Sequence, residues 1–157
     1  MSRAILPGAT VNGQPATLGV MGGGQLGRMF VHAAQAMGYF TAVLDPDPAS
    51  PAGLVSHHHV QTDYAHEQGL AQLVQCCAAI TTEFENVPAP ALMTLGAQRP
   101  VAPSAEAVAI AQDRAAEKAH FVRCGVPVAP HAVIATPAQL AAVGDELLPG
   151  ILKTARM

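Results

Sequence analysis

The segment Leu18-Gly19-Val20-Met21-Gly22-Gly23-Gly24-Gln25-Leu26-Gly27-Arg28-Met29 constrains the fold more than any other part of the chain. An apolar run enters a glycine turn, and the turn opens an amphipathic stretch. Gly22, Gly24 and Gly27 have the G-x-G-x-x-G spacing of a strand–turn–helix phosphate cradle. A side chain at the first glycine would obstruct the turn, and one at the second would hold a phosphate off the backbone. One at the third would push the helix away from the strand. The N–H groups and positive dipole end of the new helix favour an anion. A close-packed turn without a ligand is the alternative, and the agreement of strand, turn and helix argues against it.

The rest of the first hundred residues repeats that alternation. Ala16 to Met21 reads as a strand. Gln25 to Met37 reads as a helix, with Leu26, Met29, Phe30 and Ala33 at helical spacing and Gly38 as its stop. Phe40 to Leu44 is a second strand, broken by Asp45-Pro46-Asp47-Pro48. A short helix at Pro51 to Ser56 leads to a third strand around Val60. Glu67 to Cys77 is a helix with Leu70, Leu73 and Val74 on one face, and Ala78 to Thr82 is a fourth strand. After the Glu83-Phe84-Glu85-Asn86 turn, Pro88 to Leu95 is a helix and Arg99 to Pro103 a short edge or connector. The pattern predicts an α/β fold, a parallel sheet covered on both faces.

The texture changes after Pro103. Ser104 is a good N-cap for one helix running from Ala105 to Cys124, ended by Gly125 and Pro127. His131 to Ile134 and Ile151 to Lys153 read as strands, with a helix at Pro137 to Val143 between them. We expect an N-terminal arm over 1–16, a Rossmann-like domain over 17–103 and the start of a second domain over 104–157.

The chain has 157 residues, half of them hydrophobic and 12% charged, as in a core-rich globular protein. A formal net charge of −3 argues against a nucleic-acid surface. No apolar run reaches membrane-span length, and the N-terminus lacks a secretory pattern, so a cytoplasmic, membrane-free protein is expected. Cys76, Cys77 and Cys124 form no framework spacing and read as reduced filler. Being adjacent, Cys76 and Cys77 are not expected to point to the same side of a helix. Within His57-His58-His59, only His57 and His59 would share a face on a strand, and nothing nearby completes a metal site.

Physics alone suggests a dinucleotide-binding domain. Asp45 ends the second strand, where a nicotinamide domain keeps its ribose-binding carboxylate. The alternative is that Asp45 only starts the turn before Pro46. The Asp-Pro-Asp-Pro run and the sequence after Pro103 both weaken an NAD(P)-binding oxidoreductase. A stand-alone or split nucleotide-binding module is a third option.

Read together, the motifs resemble the N-terminal part of the N5-carboxyaminoimidazole ribonucleotide synthetases, ATP-grasp enzymes of purine biosynthesis. The resemblance rests on Gly22-Gly23-Gly24-Gln25-Leu26-Gly27-Arg28-Met29, on Leu44-Asp45-Pro46-Asp47-Pro48-Ala49-Ser50-Pro51-Ala52 and on Thr81-Thr82-Glu83-Phe84-Glu85-Asn86-Val87-Pro88. It continues through Gln112-Asp113-Arg114 with Glu117-Lys118 and ends at Ile151-Leu152-Lys153-Thr154. Each motif is weak alone, and five in order are specific.

The resemblance implies a Rossmann-like pre-ATP-grasp domain followed by the incomplete start of an ATP-grasp domain. It implies a carbon–nitrogen ligase that joins bicarbonate to aminoimidazole ribonucleotide at the expense of ATP, with Mg2+ on the ATP phosphates. By motif, Gly24, Gln25, Leu26, Glu83 and, as the weaker partner, Glu85 would face the ribonucleotide. Arg114 and Lys153 would face ATP phosphates, although either could be an ordinary surface cation. The magnesium ligands and the glycine-rich lid of the family lie beyond Met157, and Ala155 stands where a basic residue is frequent. The 157 residues alone are therefore expected to be inactive, with no catalytic residue of their own. The family often forms homodimers.

Overall fold

The computed structural model describes residues 4–11 and 13–156. Two compact units emerge, Met1–Ala109 and Ile110–Met157. The first begins with a two-stranded antiparallel hairpin, β1 (Thr10–Val11) and β2 (Gln14–Pro15). A βα alternation follows: β3 (Thr17–Met21), α1 (Gln25–Ala36), β4 (Phe40–Leu44), β5 (His58–Val60), α2 (Glu67–Cys76), β6 (Ala79–Thr82), α3 (Ala89–Gly96) and β7 (Val101–Ala102). The expected helix at Pro51 to Ser56 is a single 3-10 turn, Gly53–Val55.

The five strands β3–β7 form one sheet in the order β5-β4-β3-β6-β7, parallel throughout. Alternating side chains feed two cores, as the pleat requires. Val20 of β3 and Val43 of β4 pack with Val31 of α1 on one face. Met21, Ala42, Leu44 and Ile80 pack with Leu70, Leu73 and Val74 of α2 and Leu92 and Leu95 of α3 on the other. Each fully buried Leu contributes about 1.5–3 kcal/mol relative to exposure. Chain order reverses at β3, so the crevice beyond the C-terminal ends of β3 and β6 is the topological switch point where such sheets bind ligands.

The phase of α1 differs from the sequence expectation. Its buried stripe is Gly27, Val31 and Ala34, whereas Leu26 and Met29 are 61% and 59% exposed. A Cβ on Gly27 would fall on the carbonyl oxygen of Gly22. Backbone contact at this glycine fixes the helix rotation and turns Leu26 outward.

The single helix expected from Ala105 to Cys124 is two, α4 (Ala105–Ala111) and α5 (Arg114–Arg123). Asp113 breaks it. Its backbone is extended, and its carboxylate accepts from the N–H groups of Ala115 and Ala116 at 2.9 and 3.0 Å. A side chain that caps so well competes with helix continuation. The second unit adds α6 (Pro137–Ala141), capped by a reciprocal Thr136–Gln139 box, and a 3-10 turn at Asp145–Leu147. His131 to Ile134 and Ile151 to Lys153 are not strands, because neither has a ladder partner among the described residues. None of the described residues from 110 to 156 is buried.

No helix of the described residues is long and apolar enough to cross a membrane.

Candidate functional site

The site is built where β3 and β6 end side by side, with Met21 opposite Thr82. Beyond Met21 the chain turns through Gly22, whose φ of +111° is reserved in practice for glycine. The Gly22 N–H donates to the Leu44 carbonyl at 3.1 Å, continuing the ladder for one more residue. Gly24 is the extended N-cap of α1 and offers no side chain to satisfy the helix's first N–H groups.

Glu83 satisfies two of them. Its Oε1 accepts from the Gly24 N–H at 3.0 Å and its Oε2 from the Gly27 N–H at 2.6 Å. The anion anticipated at this helix N-terminus is therefore the chain's own carboxylate, stabilised by the aligned peptide dipoles. Glu83 is half-buried, and its backbone N–H is fixed to the Met21 carbonyl at 3.2 Å. Thr82 braces the turn from below, its hydroxyl within reach of the carbonyls of Met21 (3.2 Å) and Phe84 (2.9 Å).

Asp45 forms the other wall. It is buried, and Oδ2 accepts from the Gly23 N–H and from the Tyr64 hydroxyl, both at 2.7 Å. Oδ1 accepts from the Asp47 N–H at 2.9 Å. Oδ2 thus ties the glycine turn to the end of β4, while Oδ1 closes the local Asp-Pro-Asp turn, and the carboxylate is buried between them. Asp45 is not presented to a ribose as a nicotinamide domain requires. The Tyr64 ring meets Phe84 edge-on at 5.6 Å. Burial, the hydrogen bond to Asp45 and the nearby carboxylates of Asp45 and Glu83 all hold the Tyr64 phenol well above its usual range. Tyr64 carries no motif, and only the folded contact with Asp45 reveals its part in the site.

Among the residues anticipated from sequence, Gly24 and Glu83 are brought into direct contact. Gln25 and Leu26 are exposed in the first turn of α1 beside them, and Glu85 is exposed two residues beyond Glu83. Arg114 and Lys153 belong to the second unit, where both are exposed. The Arg114 N–H donates to the Ala155 carbonyl at 2.9 Å, and Arg156 pairs with Asp113 at 2.9 Å. These contacts tie the 153–156 segment to the start of α5. His57 and His59 have structural partners. His57 stacks on Phe40 and its Nδ1 lies 3.1 Å from the Thr41 N–H, while His59 Nε2 lies 3.0 Å from the Asp45 carbonyl.

The family model described as ribonucleotide synthetase preATP-grasp domain matches residues 15–112. The N5-carboxyaminoimidazole ribonucleotide synthase of Staphylococcus aureus strain MRSA252 is 43% identical over 73% of this chain and 31% of its own length. The chain thus spans about a third of that curated relative. A solved ADP complex of N5-carboxyaminoimidazole ribonucleotide synthetase superposes with a TM-score of 0.84 at 34% identity, covering 95% of this chain and 38% of that one. The Aspergillus clavatus N5-carboxyaminoimidazole synthase, solved with ADP and 5-aminoimidazole ribonucleotide, gives 0.75 at 37% identity, covering 85% of this chain and 36% of its own. The chain belongs to the ribonucleotide synthetase preATP-grasp domain family, as a relative of the N-terminal region of the N5-carboxyaminoimidazole ribonucleotide synthetases.

Proposed function

We propose that this chain supplies the ribonucleotide-binding wall of an ATP-dependent carbon–nitrogen ligase that carboxylates aminoimidazole ribonucleotide with bicarbonate. The observation that carries this is the Glu83 carboxylate held between the N–H groups of Gly24 and Gly27. An anion already fills the helix N-terminus, so a phosphate at the same spot would meet like charge. Each carboxylate oxygen keeps a further lone pair. The matching ligand groups are therefore donors, namely the hydroxyls of a ribose or an exocyclic amine. Gln25, Leu26 and Glu85 border the same crevice by sequence and complete the substrate-facing set.

In this reaction the γ-phosphoryl group of ATP passes to bicarbonate. The resulting carboxyphosphate, or carbon dioxide released from it, meets the amine of the ribonucleotide. No protein nucleophile is needed, so the chain's contribution is position and charge. Glu83 orients the ribonucleotide through its hydroxyls. Arg114 offers a fork of donors and Lys153 a compact ammonium, both suited to nucleotide phosphates. Residues 104–157 begin the ATP-grasp domain in this proposal, and their uncovered Phe121, Ile151 and Leu152 suit a core completed by other elements. Magnesium would accompany the ATP phosphates and screen their charge. The described residues contain no His, Cys, Asp or Glu cluster suited to a metal, so none is assigned to it. The relatives' solved complexes with ADP and with 5-aminoimidazole ribonucleotide support the ligand classes.

Titration calorimetry with aminoimidazole ribonucleotide and, separately, with NADH tests the proposal. Binding of the ribonucleotide that Glu83→Ala abolishes is the expected result. Binding of NADH without the ribonucleotide overturns it. Turnover, read as phosphate release requiring both ribonucleotide and bicarbonate, is expected from the protein joined to a whole ATP-grasp domain. It is not expected from these 157 residues alone.

A further inference from the structure

The adjacent thiols of Cys76 and Cys77 do not diverge as a continuous helix would make them. Cys76 is the last residue of α2, and Cys77 is extended, with φ −97° and ψ 143°. That change of backbone at the helix end swings the second side chain round, and the two sulfurs stand 3.6 Å apart. Cys76 is half-exposed and Cys77 is buried. The buried sulfur has little room to turn away, because a Cβ on Gly19 of β3 would lie 2.7 Å from it. Arg99 Nε donates to the Cys77 carbonyl at 2.9 Å and fixes the backbone of the pair.

The two sulfurs stand in contact, and the backbone between them restricts the chemistries open to the pair. A disulfide needs about 2.04 Å between sulfurs and a Cα separation of about 4.4–6.8 Å. Adjacent residues joined by a trans peptide offer only about 3.8 Å between Cα atoms. A single centre that bonds thiolate at about 2.3 Å, with an angle near 100–110°, holds its two sulfurs roughly 3.5–3.8 Å apart. The observed 3.6 Å falls inside that bite.

We propose that Cys76 and Cys77 form a chelating dithiol site for one thiophilic centre of the trivalent organoarsenical class. With an aryl arsenoxide the exchange balances without redox change. Two As–S bonds replace the two bonds to oxygen, and the two thiol protons leave with that oxygen as water. The approach is from the half-exposed Cys76. The contact between the two sulfurs holds the Cys76 thiol below its usual range, and the same contact together with burial pushes the Cys77 thiol up. The site lies at the opposite end of β6 from Glu83, outside the crevice described above.

Two thiols held together outbind one by about 10²–10⁴ through effective concentration. The full chain is therefore incubated with phenylarsine oxide in excess 2-mercaptoethanol, and bound arsenical is read by native mass spectrometry. One equivalent retained by the wild type and by Cys124→Ser, and released by 2,3-dimercaptopropanol, is expected. Cys76→Ser, a nearly isosteric change at the half-exposed position, is expected to weaken retention about a hundredfold, and Cys77→Ala likewise. No retention by the wild type, or retention that survives Cys76→Ser, overturns the proposal.

Discussion

The Glu83 carboxylate bridges two backbone donors at the start of α1, the N–H groups of Gly24 and Gly27, 59 and 56 residues earlier in the chain. One side chain thus caps α1, closes the glycine turn and faces the crevice.

Replacing Glu83 with Gln keeps the shape but gives one end of the group donors where an acceptor is needed. One N–H of α1 loses its partner, and the charge–dipole attraction goes with it. Stability is expected to fall by about 1–2 kcal/mol, read as a lower urea midpoint with an unchanged slope. Calorimetry on the same variant is expected to show weaker ribonucleotide binding.

Gly27→Ala tests the contact that sets the phase of α1. The added methyl would fall on the Gly22 carbonyl oxygen, and backbone on both sides resists movement. A loss of about 1–3 kcal/mol is expected. At Gly96 an added methyl meets only ordinary van der Waals neighbours, the nearest being Val101 at 3.9 Å. The same change there is expected to cost far less, in parallel thermal melts.

Tyr64→Phe removes one of the two donors on Asp45 Oδ2 and is expected to cost about 0.5–1.5 kcal/mol near neutrality. The phenol is held neutral in the fold, its ordinary value being about 10. Above that pH the unfolded chain has lost a proton that the folded chain keeps, so the stabilising contribution declines as pH rises. The wild type is expected to lose stability more steeply than the variant above about pH 10. Parallel slopes for the two proteins would count against a strained Tyr64 proton.

Asp113 runs in the opposite direction. The Ala116 N–H, the Arg156 guanidinium and the Ala115 N–H hold its carboxyl below the usual range. Its contribution is present above the ordinary carboxylate value, about pH 4, and declines as pH falls through the lowered one. Acid is therefore expected to fray α5 at its first turn. Asp113→Asn keeps a good cap and is expected to flatten that pH dependence, followed by amide chemical shifts of Ala115 and Ala116.

The glycine turn and the alternation around it were legible in the sequence because they are local. Glycine spacing specifies a strand–turn–helix over a dozen residues, and β3, β4 and β6 fall within a residue or two of their expected bounds. The phase of α1 was not legible. Leu26 and Met29 satisfy helical periodicity as well as Val31 does, and the Gly27–Gly22 backbone contact decides between them. The break at Asp113 was not anticipated, because the alanines spaced from 105 to 116 suit one unbroken helix. Tyr64 could not be found by motif, since its partner Asp45 lies 19 residues away across β5. The segments around His131 and Ile151 have strand composition, yet a strand exists only where a neighbour completes its ladder.

Because β3 and β6 meet only after α1, β4, β5 and α2 have been threaded between them, the crevice is a contact of long sequence range. A partly folded chain that has not closed this pair lacks the proposed binding surface. A ribonucleotide seated across both strand ends would act as a clasp on the whole sheet. Its concentration would then raise the melting temperature by mass action, which makes folding itself a reporter of occupancy.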